Sequence, residues 1–170
     1  MIRNTIIKIV AICVLMLSVG AIASCNHYRA TLMDDGYEID SEFFKENRAG
    51  YPRYCEDGSI KYYDVEDEEV ERPQEVIRLV KNEEEEAAAF SDFSTAIDYE
   101  KEMLVLYFFT STCPRRCRVK KTGKEGDILH IYLKYEAPPK PFWYDTTIPQ
   151  QKCFVIKMKK VDCAEIKVHL

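Results

Sequence analysis

The spacing of hydrophobic residues changes several times along the chain, and each change predicts a different element. Residues 9–23 form an almost unbroken apolar run, which at about 15 residues is short for a helix that crosses a bilayer. Residues 103–109 are also apolar throughout, so we expect a central strand that is covered on both faces. In contrast, 154–159 and 164–170 alternate between apolar and polar positions, as in strands with one dry and one solvated face.

Turn residues and charges place further strands. The dipeptide Asp-Gly at 57–58 separates the β-prone runs 51–55 and 60–65, which is a strong hairpin pattern because glycine accepts the positive φ of the turn. The run 128–135 predicts another strand. The short basic segment 118–120 before it suits a sheet edge, where lysine discourages pairing with other chains.

Helical patterns in the sequence are short. Asn82 is followed by four glutamates, which predicts a capped helix start with negative charge at the positive end of the helix dipole. We expect this helix, which follows a strand at 76–81, to run to about Phe93. A helical turn is expected at 41–45. The acidic stretch 64–75 repels itself and predicts a loop or linker.

Together these patterns predict a mainly β fold at the border of α+β. We expect an antiparallel sheet or small β-sandwich with one short helix, preceded by a signal peptide and an acidic tether. The predicted division is a signal peptide at 1–24, an acidic tether with a β-hairpin at 25–75, and a β domain at 76–170.

The sequence Ile-Ala-Ser-Cys at 22–25, which closes the first apolar run, resembles the bacterial lipobox. Basic residues before the run and small residues at its end complete the pattern of an export signal. The resemblance implies that signal peptidase II cuts before Cys25, whose thiol carries a diacylglyceryl group. Two acyl chains give stable attachment, so we expect a lipoprotein outside the cytoplasm, anchored to the bacterial membrane.

Two other interpretations of this segment stay open. Ala21-Ile22-Ala23 matches a site at which a different peptidase would release the domain. Alternatively, the segment is not cut and anchors the protein as a helix. Both alternatives leave a cysteine at the lipidation position by coincidence, which is why the lipid anchor is our prediction.

Charge is distributed unevenly along the chain. Residues 34–75 carry 15 acidic and 5 basic side chains, a net of −10, whereas 101–170 carry 7 acidic and 14 basic side chains, a net of +7. The asymmetry fits either an acidic arm lying on a basic face or two solvated surfaces. Because the chain as a whole has a net charge of −5, a nucleic-acid partner is not expected.

The chain has 7 cysteines, of which one lies in the signal and one is the lipidation site. Five remain in the predicted mature protein: Cys55, Cys113, Cys117, Cys153 and Cys163. Outside the cytoplasm disulfides can form, and an odd number leaves at least one thiol free or paired between chains.

The sequence Cys113-Pro-Arg-Arg-Cys117 is the most unusual local feature. A tight turn would bring the two cysteines within disulfide range, and our interpretation is a structural disulfide or a pair of inert thiols. Neighbouring arginines would stabilise a thiolate, which favours redox chemistry, but thioredoxin-like motifs place two residues between their cysteines, not three. A metal site would need further ligands at matched spacings, so we expect no metal.

The segment 136–152 contains four prolines and the only tryptophan, in Phe142-Trp143-Tyr144. The three rings either fold back over the open end of the core or present a contact surface. Aromatic side chains on a stiff loop lose little entropy on binding, so these residues are candidates for binding a partner.

Residues 76–170 resemble the C-terminal domain of PrcB-type proteins, which stabilise a protease complex, and related bacterial lipoprotein domains. The shared features are a strand, an acidic helix start, the sequence at 97–103 that leads into the apolar strand, and an aliphatic strand pair after Pro149. Where that family tends to have a Thr-Gly-rich turn, this chain has the sequence 111–117 with its two cysteines. The resemblance implies a protein partner in the cell envelope, such as a protease or its complex.

The sequence contains no phosphate-binding loop and no protease or hydrolase motif, so we expect neither an enzyme nor a cofactor. Our prediction is a membrane-anchored protein-binding module. The alternatives are a thiol-disulfide protein that acts through Cys113 and Cys117, or a protease inhibitor that presents the loop 138–149.

Overall fold

The computed structural model of the protein describes residues 28–48, 50–64, 66–71, 75–113, 116–136 and 149–170, and it confirms a mainly β fold. Two short helices lie within these ranges, α1 (Ser41–Asn47) and α2 (Glu83–Ala89). The strands are β1 (Ala30–Leu32), β2 (Tyr37–Ile39), β3 (Tyr51–Tyr54), β4 (Ile60–Tyr63), β5 (Glu69–Val70), β6 (Val76–Val80), β7 (Phe90–Phe93), β8 (Glu102–Ser111), β9 (Cys117–Glu125), β10 (Ile128–Tyr135), β11 (Gln150–Lys159) and β12 (Glu165–His169).

The strands form layers around a central sheet of order β1-β11-β8-β6. An outer sheet of order β12-β10-β9 packs on one face of the central sheet. A helical layer, which consists of α1, α2 and the β2–β7 pair, packs on the opposite face. A third sheet of order β3-β4-β5, here called the outlying sheet, contributes to neither of the two cores.

Strand β8 lies at the centre of the molecule and is covered on both faces, as predicted. Met103 to Phe108 are all 0% exposed. Val105 and Tyr107 pack in the cluster shared with the outer sheet, whereas Leu106 and Phe108 pack in the cluster shared with the helical layer. The unbroken apolar run is therefore explained by two cores that share one strand.

Both helices begin at side-chain caps. Asp40 Oδ1 accepts hydrogen bonds from the backbone N–H groups of Glu42 and Phe43, each at 2.9 Å, so the expected turn at 41–45 is a complete short helix. Asn82 Oδ1 accepts from Glu85 N–H at 2.8 Å, which confirms the predicted cap of α2. The sequence predicted one short helix, and the described residues contain two.

The predicted end of the second helix near Phe93 was wrong. Helix α2 ends at Ala89, and the next four residues form β7, which pairs antiparallel with β2. The rings of Phe90 and Phe93 lie 4.7 Å apart in the core of the helical layer. A strand partner that lies more than fifty residues earlier in the chain thus overrides the local helical pattern.

Residues 30–39 of the acidic segment contain two strands of the folded domain, so the prediction of a tether was wrong for this part. Strand β1 pairs with β11 in the register Ala30 with Met158 and Leu32 with Ile156, and Leu32 packs against the core. Strand β2 is the partner of β7. Each strand has three residues, too few for a periodic pattern to be recognised in the sequence.

The sequence led us to expect that the last two strands pair with each other. In the structure they lie in different sheets. Strand β11 lies in the central sheet, and its Val155 is buried under the helical layer, so its second face is not fully solvated. Strand β12 lies in the outer sheet and pairs with β10 in parallel. The predicted alternation is present in β12, where Val168 is buried and Lys167 is exposed. Strand β9 is an edge strand, as predicted.

Candidate functional site

Two groups of predicted site residues lie outside the residues that the structure describes. These are Cys25 and the aromatic sequence Phe142, Trp143 and Tyr144. Lipidation and the aromatic contact surface therefore stay predictions. The inhibitor loop 138–149 lies outside the description too, except for Pro149.

Cys113 lies in the connection between β8 and β9, and Cys117 is the first residue of β9. Both are free thiols in the structure, Cys113 half-buried and Cys117 buried. The backbone N–H of Cys113 donates to Ser111 Oγ at 3.0 Å, and its carbonyl accepts a hydrogen bond from Lys152 Nζ. The predicted disulfide between the two cysteines stays a prediction.

The environment of Cys117 disfavours its thiolate. The pKa of this thiol is raised from 9.0 to about 11, chiefly by burial and also by nearby Cys113, while Lys152 opposes the change. The arginines in the motif were expected to stabilise a thiolate, but Arg116 is exposed and burial has the larger effect. A reactive cysteine needs the opposite shift, so the geometry favours an inert thiol.

This pKa leads to a prediction on alkylation. At pH 8 the thiolate of Cys117 should be about 100-fold rarer in the native protein than in the unfolded chain, because each unit of pKa is a factor of ten. We expect iodoacetamide to label Cys117 correspondingly more slowly in the native protein than in urea, and the native rate to rise with pH up to about 11. Peptide mass spectrometry over time measures both rates, with Cys55 on the outlying hairpin as the internal control. Equal rates for Cys117 would contradict the prediction.

A groove lies beside Cys117 and has a volume of about 340 Å³. Residues of β1, β9 and β11 line its wall, and Asp34, Arg116 and Lys152 give it charges of both signs. Cys153 also lines the groove, and burial raises the pKa of its thiol. The groove thus brings together two thiols whose pKa is raised by burial, a carboxylate and two cations.

The structure brings together two histidines that sequence spacing did not connect. His130 Nδ1 and His169 Nε2 lie 2.9 Å apart on neighbouring strands of the outer sheet, and one of them donates a hydrogen bond to the other. The ring of His169 stacks on Tyr132 with a centroid distance of 4.5 Å. Strands β10 and β12 are separated by a long segment that includes β11, which is why no local signal marks the pair.

The outlying sheet carries an ordered stack of tyrosine and arginine side chains on one face. Tyr51 and Tyr63 are cross-strand partners with ring centroids 5.8 Å apart. The guanidinium group of Arg53 lies 4.4 Å from the Tyr63 ring, and that of Arg48 lies 4.0 Å from the Tyr51 ring. Asp67 accepts a hydrogen bond from Arg53 at 2.7 Å and fixes its position.

The position of the outlying sheet leaves this tyrosine–arginine stack available for contact. None of the residues in β3, β4 and β5 is buried. The sheet is joined to the body at Gly50, whose carbonyl accepts hydrogen bonds from Thr110 Oγ1 and Gln151 Nε2, each at 3.0 Å. The opposite face is apolar, and Tyr54 on that face is 55% exposed.

The stack was missed by sequence reasoning, although the hairpin that carries it was predicted. The alternation of the two strands could have identified it, because Tyr51, Arg53 and Tyr63 share one face once the register of the hairpin is set. The approach of Arg48 and Asp67 depends on how the flanking turns fold and has no local signal.

Within the described ranges, no three His, Cys, Asp or Glu side chains are placed so that they could hold a metal ion. Neither of the two helices described above is long and apolar enough to cross a membrane. Comparisons of the chain with models of known protein families, with curated proteins and with solved structures found no match.

Proposed function

We propose that the protein is a lipid-anchored lipoprotein outside the cytoplasm, whose outlying sheet binds a protein partner in the bacterial envelope. The observation that carries the proposal is the tyrosine–arginine stack on a sheet that contributes nothing to either core. The lipobox at 22–25 supports the anchor.

The side chains of the stack are of the type that dominates binding energy in protein interfaces. Tyrosine and arginine are enriched among such residues because they combine a large contact area with hydrogen-bonding groups. Here Arg53 is held between two rings and Asp67, so little side-chain entropy remains to be lost on binding.

The charges around the stack indicate the chemistry of the partner. The turns of the outlying sheet carry exposed carboxylates, among them Glu56, Asp57, Glu66 and Glu68. A partner surface with an apolar or aromatic centre and a basic rim would complement this arrangement. The resemblance to PrcB-type domains supports a protease or its complex as the class of partner.

Site-specific photocrosslinking in native cells tests the proposal. A photoreactive residue at Lys61, which lies on the stack face and has 43% of its side chain exposed, should capture one partner, whereas the same residue at Glu46 on α1 should not. Replacing Tyr63 with alanine should reduce the affinity for that partner about 30-fold, the effect of a strong interface residue.

Two control variants make the result specific. Tyr54→Ala, on the opposite face of the same sheet, should leave the affinity within about threefold, as expected away from an interface centre. If Trp143→Ala abolishes binding and Tyr63→Ala has no effect, the aromatic loop predicted from the sequence is the contact surface and the proposed stack is not.

A thiol-disulfide function is not favoured as a second candidate. The raised pKa of Cys117 reduces its nucleophilicity at neutral pH. The inhibitor loop at 138–149 stays a prediction from the sequence.

A further inference from the structure

The solvent-facing side of the outer sheet is rich in cations. Five exposed basic side chains project from its three strands: Arg118, Lys120, Lys121, Lys134 and Lys167. Four exposed carboxylates lie toward the ends of the strands: Glu125, Asp127, Glu136 and Glu165. The centre of this basic face is therefore positive in a chain whose net charge is −5.

A β-bulge increases the density of cations on β9. Tyr132 pairs with Lys121 and the next residue, Leu133, pairs with Val119, so Lys120 is the additional residue of the bulge. Both Lys120 and Lys121 are exposed, although consecutive residues of a regular strand point to opposite faces. Lys121 Nζ lies 4.4 Å from the centre of the Tyr132 ring, beside the stacked histidines.

The described chain begins beside β9, the edge strand of the outer sheet. Thr122 Oγ1, on β9, donates a hydrogen bond of 2.5 Å to the carbonyl of Tyr28. Cys25 lies three residues before Tyr28, and three extended residues span at most about 10 Å. Two further exposed cations, Arg29 and Lys159, lie at this entry corner, where Lys159 N–H donates to the carbonyl of Arg29 at 3.3 Å.

The acidic outlying sheet is attached at the opposite end of the molecule. Its anchor, Gly50, is bound by Gln151 at the start of β11, whereas the entry corner is at Lys159 at the end of the same strand. Eight residues of extended strand separate the two ends by about 27 Å. The entry corner and the attachment of the outlying sheet therefore lie at opposite ends of β11, and the cations of the basic face are spread along the strands between these two ends.

We propose that the basic face and the entry corner lie against anionic phospholipid headgroups. This inference rests on the proposed lipid anchor at Cys25. An anchor within about 10 Å of Tyr28 holds the adjoining edge of the basic face at roughly one Debye length from the membrane surface, where lysine and arginine are attracted by acidic lipids. Each such cation contributes a factor of about five to binding.

Lysine footprinting of the full lipid-modified protein tests the inference. The protein is reconstituted in vesicles of phosphatidylcholine alone and of equal parts phosphatidylcholine and phosphatidylglycerol, treated with an acylating reagent, and analysed by peptide mass spectrometry. We expect acylation of Lys120, Lys121 and Lys159 to fall at least about fivefold in the acidic vesicles, from the cation factor above. Lys45 on α1, in the helical layer on the other side of the central sheet, should react equally in both.

Salt and a charge-reversed variant complete the experiment. At about 1 M salt, where the Debye length is about 3 Å, the protection should disappear. In the double variant Lys120→Glu with Lys121→Glu, the protection of Lys159 should fall, whereas Lys45→Glu should leave it unchanged. Both residues of the double variant are exposed, so the fold should tolerate the change.

The possible failures of the two proposals are distinguishable. Protein that carries no lipid and does not sediment with either vesicle would overturn the anchor. Anchored protein whose lysines react equally in both vesicles would overturn the lipid contact of the basic face and leave the anchor intact. Protection that depends on the density of protein in the vesicle, and not on phosphatidylglycerol, would assign the basic face to a second copy of the chain and overturn the lipid contact.

Discussion

Replacing Phe108 with alanine should lower the free energy of unfolding by about 3–5 kcal/mol, the cost of removing a large aromatic side chain from a packed core. Phe108 is 0% exposed, and its ring centroid lies 5.6 Å from that of Phe44 and 6.3 Å from that of Phe43. The side chain thus joins α1 to the central sheet, and alanine would leave a cavity between the two layers. Urea unfolding followed by circular dichroism measures the change.

The matched control for this variant is Tyr54→Ala on the outlying sheet. Tyr54 is 55% exposed, so its truncation should change stability by about 0.5 kcal/mol or less. A Phe108→Ala variant that loses less than about 1 kcal/mol would mean that α1 does not pack on the central sheet in solution.

The variant Cys25→Ser should lose all incorporation of labelled fatty acid. Lipid attaches to the sulfur of this cysteine, and a serine oxygen cannot replace it in the thioether. Because signal peptidase II cuts only lipid-modified precursors in the lipobox interpretation, we also expect residues 1–24 to stay attached in the variant. Intact-mass analysis of the protein from native cells checks both statements.

The corresponding control is Cys113→Ser, which should retain the lipid in full because Cys113 belongs to the folded domain. A natural protein that begins at residue 25 with an unmodified sulfur, or that keeps its first apolar segment, would contradict the predicted anchor. The proposed contact of the basic face with lipid would then lose its basis.

Local patterns in the sequence were sufficient for the elements whose stability is decided locally. The cap at Asn82 and the turn at Asp57-Gly58 were both predicted, since a side-chain cap and a positive φ depend on neighbouring residues. Gly58 has φ 80° in the structure, as the hairpin requires. The central strand was predicted because a strand that is buried on both faces needs apolar residues at successive positions, and this gives an unbroken apolar run.

Elements that depend on distant partners were missed. Strands β1 and β2 are held by β11 and β7, which come much later in the chain, and three residues carry no recognisable period. The same reason applies to the candidate sites. The contact of His130 with His169, and the approach of Asp67 to Arg53, join residues that are far apart in sequence.

The sequence by itself determined the strand-rich character of the chain, the central strand and the helix cap at Asn82, and it predicts an export signal with a lipidation site. These follow from periodicity, turn chemistry and short motifs, which act over a few residues. Only the tertiary structure decided that the acidic segment enters the sheets, that burial raises the pKa of Cys117, and that cations gather on one face while tyrosines and arginines stack on another. The physical reason is that burial and charge density depend on which strands become neighbours, and that choice is made by packing across the whole domain.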